Sequence, residues 1–116
     1  MPYDDITTID ELKSKINEFI TARRWKQFHS PKNLSMALAI EASELMDLFK
    51  WLKEKDSKNV MLDESLRGEA IEELADIIIY ALAFAIHNNV DVSSAVIAKI
   101  DKNSIKYPVN KYKGKY

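Results

Sequence analysis

Cysteine is absent from this 116-residue chain, and glycine and proline are scarce, with two and three copies. Without cysteine there is no disulfide framework and no thiolate chemistry, and a reducing cytoplasmic setting is expected. So few Gly and Pro leave little material for the turns that all-β and α/β domains need, which points to a few long helices. A phosphate-cradling glycine loop is excluded on the same ground, and no Gly-x-x-x-x-Gly-Lys run occurs. Nor is there a strong charge of one sign: the net charge is -1, so no nucleic-acid partner is expected. The longest apolar run, Ile77 to Ile86, is too short to span a bilayer, and no membrane partner is expected. The first residues, Met1-Pro-Tyr-Asp-Asp, are acidic and unlike a signal peptide.

What is present fits one globular domain. Apolar residues make up 47% and charged residues 30%. A single domain is expected over 1–116, with its core over about 8–108 and a basic tail at 109–116 carrying Lys111, Lys113 and Lys115. Thr8-Ile-Asp-Glu11 is a capping box, which predicts a helix with Leu12, Ile16, Phe19 and Ile20 on one face, ending near Arg24 or Trp25. Ser30-Pro31 predicts a second start, because Ser caps well and Pro at the first helical position loses no bond. That helix should run to about Leu52, with Leu34, Leu38, Glu41, Leu45, Leu48 and Leu52 spaced like a buried seam. Lys53 to Asn59 is polar and reads as a loop or a frayed helix end. A third helix should start near Asp63 and end at Asn88-Asn89, since Asn tolerates the left-handed turn. Its second half is apolar all round and needs cover on every side, for which another subunit is the expected source. Asp91 should cap a fourth helix with Val92, Val96, Ile97 and Ile100 facing inward, ending at Tyr107-Pro108. The expected fold is all-α, a four-to-five-helix bundle completed by oligomerisation.

Four carboxylates occupy unusual places. Glu41 lies on the apolar seam, and Glu44 follows one turn later. Glu73 and Asp76 repeat that spacing just before the most apolar stretch. Glu pairs three apart usually mark solvated faces, and Glu69, Glu72 and Asp47 are read that way. Glu41 is harder to explain so, because Leu38, Leu45 and Leu48 surround it in the pattern. An unpaired buried carboxylate costs several kcal/mol, on the order of the effective penalty for any buried ion. The seam offers no Lys or Arg as compensation, whereas a hard divalent cation prefers carboxylate oxygens. A di-iron site would need Glu-x-x-His pairs, but Phe84 and Lys26 stand three residues before His87 and His29. Mg²⁺, with Mn²⁺ as a substitute, is therefore the expected metal.

The words Glu41-Ala-Ser-Glu44 and Glu73-Leu-Ala-Asp76 resemble the E-x-x-E…E-x-x-D signature of MazG-type nucleotide pyrophosphohydrolases, of the all-α NTP pyrophosphatase superfamily. Trp25-Lys-Gln-Phe-His29-Ser-Pro-Lys-Asn-Leu34, Leu48-Phe49-Lys50-Trp51, Glu72 through Tyr80, and Lys99-Ile-Asp-Lys-Asn103 with Tyr107-Pro108 extend the likeness over roughly 10–108. Within the superfamily the sequence looks like the short, single-domain dCTP pyrophosphatase branch. The resemblance implies Glu41, Glu44, Glu73 and Asp76 as Mg²⁺ ligands; one carboxylate not fully used in coordination, Glu41 or Glu44, is the expected catalytic base. It implies Trp25, Trp51 and Tyr80 around the base and sugar, and Lys99 and Asn103 near the substrate. It further implies a nucleoside triphosphate such as dCTP as substrate, a homodimer or homotetramer, and a role in nucleotide-pool cleansing. A non-catalytic helical oligomerisation module is the competing expectation; it accounts for the apolar third helix but not for Glu41.

Overall fold

The computed structural model describes residues 2–115 and is helical, with no strand among the described residues. Its order is α1 (Ile9–Ala22), a 3₁₀ turn (Lys26–Phe28), α2 (Pro31–Asp47), α3 (Glu54–Val60), α4 (Glu64–His87), α5 (Val92–Lys106) and α6 (Val109–Tyr112). Six helices thus replace the expected four to five, and the two additions are short. The polar stretch after Lys53 folds as α3 rather than as a loop. Glu54 and Asp56 in its first turn and Lys58 in its last complement the helix dipole. Helix α2 stops at Asp47, short of the expected Leu52. Beyond it the chain tightens into single turns, with the N–H of Phe49 donating to the Met46 carbonyl (2.9 Å) and that of Leu52 to the Phe49 carbonyl (2.9 Å).

The four long helices start where the capping residues stand. Backbone N–H groups of Glu11, Asn33, Leu66 and Ser94 donate to the side chains of Thr8, Ser30, Asp63 and Asp91 at 2.9–3.1 Å. Two helices end in the left-handed turn that satisfies their last carbonyls. Arg24 (φ 55°) lets the Trp25 N–H reach the Ile20 carbonyl (3.1 Å), and Asn89 (φ 53°) lets the Val90 N–H reach the Ala85 carbonyl (2.9 Å). The first turn reverses the chain after α1, and the second directs it away from α4 into α5.

Packing centres on α4. Helix α2 lies along it over a long contact, and α1 over a shorter one. Ile20, Leu34 and Ala83, one from each helix, form the buried cluster, with Ile16 and Tyr80 against it. Leu34 is 1% exposed, and burying such a side chain contributes about 1.5–3 kcal/mol. Helix α5 departs from expectation. Val96, Ile97 and Ile100 are exposed, Ile97 at 62%, because no other helix of the chain packs along α5. Ile71, Leu74, Ile78 and Ile79 of α4 are exposed as well. The radius of gyration is 17.1 Å, against about 13 Å for a compact chain of this length. No helix is long and apolar enough to cross a membrane among the described residues.

Candidate metal centre

The contact between α2 and α4 creates the site. On α2 the seam runs from buried Leu34 through half-buried Leu38, Glu41, Leu45 and Leu48, so the packing that buries the leucines also draws in Glu41. On α4, Glu73 and Asp76 are one turn apart and meet it. Glu41, Glu73 and Asp76 each present a carboxylate oxygen, and these oxygens lie within 4.8 Å of one another. Glu44 is exposed and falls outside this trio, yet its carboxyl is near enough to raise the pKa of both Glu41 and Glu73.

The electrostatics are unfavourable for an anion cluster. One oxygen each of Glu41 and Glu73 is closed off from solvent and has no hydrogen-bond partner. The Glu41 carboxyl is pushed up to about 7, first by burial, then by the hydrogen bond and charge of Glu44, then by Asp76 and Glu73. Glu73 is raised too, by burial first and by Glu44 next, while its bond to Glu41 opposes the shift. No basic side chain neutralises the group: the ion pair among the described residues joins Lys50 to Asp47 (2.7 Å) on the surface. Converging carboxylates with orphaned buried oxygens suit a divalent cation, which would supply the missing partner and remove the repulsion.

A small cavity of about 50 Å³ is lined by Phe19, Ile20, Trp25, His29, Ile79, Tyr80 and Ala83. Tyr80 stands one turn beyond Asp76 on α4, roughly 6 Å along the axis, so this aromatic slot adjoins the carboxylates. The chain reversal at Arg24 turns Trp25 back onto Phe19, and their rings meet edge to face at 5.6 Å. Arg23 lies over the Phe19 ring at 3.7 Å from its centroid. Two of the aromatic residues expected around a nucleotide, Trp25 and Tyr80, are thus brought together. Trp51 is not with them; it is 87% exposed in the turns after α2, with Lys50 above its ring at 5.5 Å. Lys99 and Asn103 ride on α5, which packs along neither α2 nor α4, and Lys99 pairs with none of the carboxylates. Phe19 joins the cavity although its sequence position reads as a core residue of α1. The left-handed turn that places it there is set by Arg24, a residue with no sequence preference for that conformation.

Comparison with known proteins gives the chain a family. Residues 36–115 match the MazG-like family. Rat dCTP pyrophosphatase 1 is 37% identical over 107 residues, covering 92% of this chain and 63% of the rat protein. The human dCTP pyrophosphatase 1 is 36% identical over 103 residues, covering 89% and 61%. The chain therefore spans about three fifths of the length of these mammalian relatives. The crystal structure of a pyrophosphatase from Archaeoglobus fulgidus DSM 4304 superposes with a TM-score of 0.79 at 37% identity, covering 86% of this chain and 92% of that one. An all-α chain with paired carboxylates on two packed helices and matches of this extent belongs to the MazG-like family.

Proposed function

We propose that this protein is a Mg²⁺-dependent nucleoside triphosphate pyrophosphohydrolase, converting a (d)NTP and water to (d)NMP and diphosphate. The observation that carries the reading is the carboxylate cluster, whose buried oxygens on Glu41 and Glu73 lack any partner within the chain. Glu41, Glu73 and Asp76 would hold the metal, with Glu44 at its edge. A bound Mg²⁺ would neutralise phosphate oxygens and lower the pKa of the attacking water. Glu44, exposed and outside the trio of close oxygens, keeps lone pairs free to accept the proton of water attacking the α-phosphorus. Glu41 is the alternative base. Pyrophosphate then leaves as the α–β bridging bond breaks.

The aromatic slot beside the carboxylates is the proposed base site. It is too small to swallow a base, so the base would lie at its mouth against the partly exposed Trp25 ring, with Tyr80 beneath. Stacking on aromatic faces contributes about 1–3 kcal/mol per base and accepts any base. The preference for deoxynucleotides such as dCTP rests on the mammalian relatives' names. Exposed α5 and Trp51 imply that the working unit is a homodimer or homotetramer. In it, Lys99, Asn103 and Trp51 of one copy would complete a site, Lys99 as a point charge on the polyphosphate. From the family resemblance we further propose a cytoplasmic role in clearing unwanted nucleotides.

The test is incubation with a panel of canonical and modified (d)NTPs, with Mg²⁺ or EDTA, and separation of products by ion exchange. Mg²⁺-dependent monophosphate and pyrophosphate, lost in Glu41→Gln, is the expected result. Diphosphate and orthophosphate would move the attack to the γ-phosphorus. No turnover by the folded protein would favour the oligomerisation module, which the unpartnered apolar face of α5 also fits.

A further inference from the structure

His29 and His87 are the only histidines in the chain, and the fold brings their rings together. Their ring centroids are 5.1 Å apart with the planes at 56°. His29 walls the aromatic slot; His87, in the last turn of α4, stands outside the lining. The Nδ1–H of His87 donates to the Ala83 carbonyl (2.9 Å), and Ala83 itself lines the slot. This bond fixes the tautomer and leaves a lone pair on Nε2. That Nε2 and the Nδ1 of His29 are both closed off from solvent and without a hydrogen-bond partner. Leaving a buried polar atom unpaired is destabilising. An apolar residue at 87 would fill the same volume without that cost, so simple core filling does not account for a histidine there.

We propose that His87 is a positioning residue. It backs the His29 ring, fixes how that ring faces the aromatic slot, and thereby sets how tightly the slot holds a nucleotide base. This rests on the reading of the slot as the base site. On its slot side His29 shares the wall with Phe19 and Ile20 from α1, Trp25 from the preceding turn, and Ile79, Tyr80 and Ala83 from α4, and His87 of α4 lies against its ring. Among these only Tyr80 and His87 titrate, and none is a carboxylate. Burial first, and His87 second, hold His29 below the ordinary histidine range. At neutral pH the ring is therefore uncharged and can both donate and accept a hydrogen bond. As an imidazolium it would lose its acceptor and place a cation in an apolar slot. His87 acts on this balance without reaching the substrate.

Two variants separate the effects: His87→Phe keeps a ring against His29, and His87→Gln removes it. The first measurement is an NMR titration of the His29 ring protons in the nucleotide-free protein. The second is steady-state kinetics at pH 6 and pH 8 with Mg²⁺ and the best substrate of the (d)NTP panel. His29 should titrate at higher pH in both variants, more so in His87→Gln. KM should rise about five-fold or more in His87→Gln and less in His87→Phe, with kcat within about two-fold, and the KM defect should grow at pH 6. An unchanged His29 titration in both folded variants overturns the proposal, as does a fall in kcat at constant KM. If the wild-type protein turns over no nucleotide, the base-site reading and the claim on affinity fall together. A shifted His29 titration in that case would still establish the pairing of the two rings.

Discussion

Helices α4 and α5 begin alike. Each opens on an aspartate whose carboxylate takes the N–H three residues on, Asp63 from Leu66 (2.9 Å) and Asp91 from Ser94 (3.0 Å). Each carries isoleucines at helical spacing, and each follows a short connection. Yet Leu82, Ala83 and Ala85 of α4 are buried while α5 buries nothing fully. Helix α4 is gripped by α1 and α2, and α5 by no helix of its own chain. Local sequence therefore decides that both are helices, and partners decide which apolar face becomes a core. The same division runs through the candidate site. The clustered carboxylates proposed to hold the metal sit on the packed pair α2 and α4, whereas Lys99 and Asn103 sit on α5.

The largest expected effect breaks the packed half of this comparison. Glu41→Gln should lower Mg²⁺-dependent turnover by more than 100-fold, since losing even an outer-shell partner of a metal site costs about 10–100-fold. Lys99→Ala on α5 should cost less, and through KM more than kcat. Equal losses in both variants, measured by product chromatography, would show that α5 is as integral to the site as α2.

Next come the cores. Leu34→Ala should destabilise the fold by about 2–5 kcal/mol in urea titration, as buried leucine truncations do. In an isolated chain Ile97→Ala on exposed α5 should change stability by less than about 0.5 kcal/mol. If a second copy covers α5, the Ile97 loss becomes larger and depends on protein concentration, and Ile97→Asp shifts the protein to smaller species in light scattering. A concentration-independent, near-zero effect of both substitutions would remove the oligomeric reading of α5.

A third effect concerns pH and metal. The Glu41 carboxyl lies near 7 when folded, against an ordinary value of 4.5. The folded metal-free protein thus binds the proton more tightly than the unfolded chain does. That stabilisation is complete below about 4.5 and is lost as pH rises through about 7. Glu73, raised by the same neighbours, adds in the same direction. The melting temperature without metal should therefore fall from pH 5 to pH 8. Mg²⁺, which competes with the shared protons, should raise it more at pH 8 than at pH 5. A melting temperature that rises with pH in EDTA would contradict the cluster's electrostatics.

Much of this was legible in the sequence, for physical reasons. Capping is local chemistry, so Thr8, Ser30, Asp63 and Asp91 mark the helix starts to within a residue. Glu41 among leucines at seam spacing identifies the carboxylate that packing would bury, and its unpartnered oxygen follows. Less legible were features set by tertiary context. Helix α3 is short and polar, and hydrophobic periodicity does not reveal such a helix. The inward face expected of α5 finds no cover within the described residues. The meeting of His29 with His87 depends on how α2's lead-in crosses the end of α4, which spacing along one helix does not encode.

The smallest effect sharpens the comparison between α4 and α5 most directly. Removing either cap should cost about 0.5–2 kcal/mol of helix stability, so Asp63→Ala and Asp91→Ala are chemically matched. Asp91 also accepts the Ser94 hydroxyl, and these Ser94 bonds, aided by Lys13, hold its carboxyl below the ordinary range. Helix α4 carries the core, so the loss at Asp63 should appear in the global unfolding free energy. If α5 is unpartnered in solution, the loss at Asp91 should fray α5 alone, raising amide exchange over 92–106 while global stability stays put. If a second copy clamps α5, the two substitutions should cost the same in global unfolding, and the Asp91 cost should grow on dilution. Hydrogen exchange on both variants at two protein concentrations separates these outcomes, because only a partner from another chain gives α5 the cooperativity that α4 draws from its own.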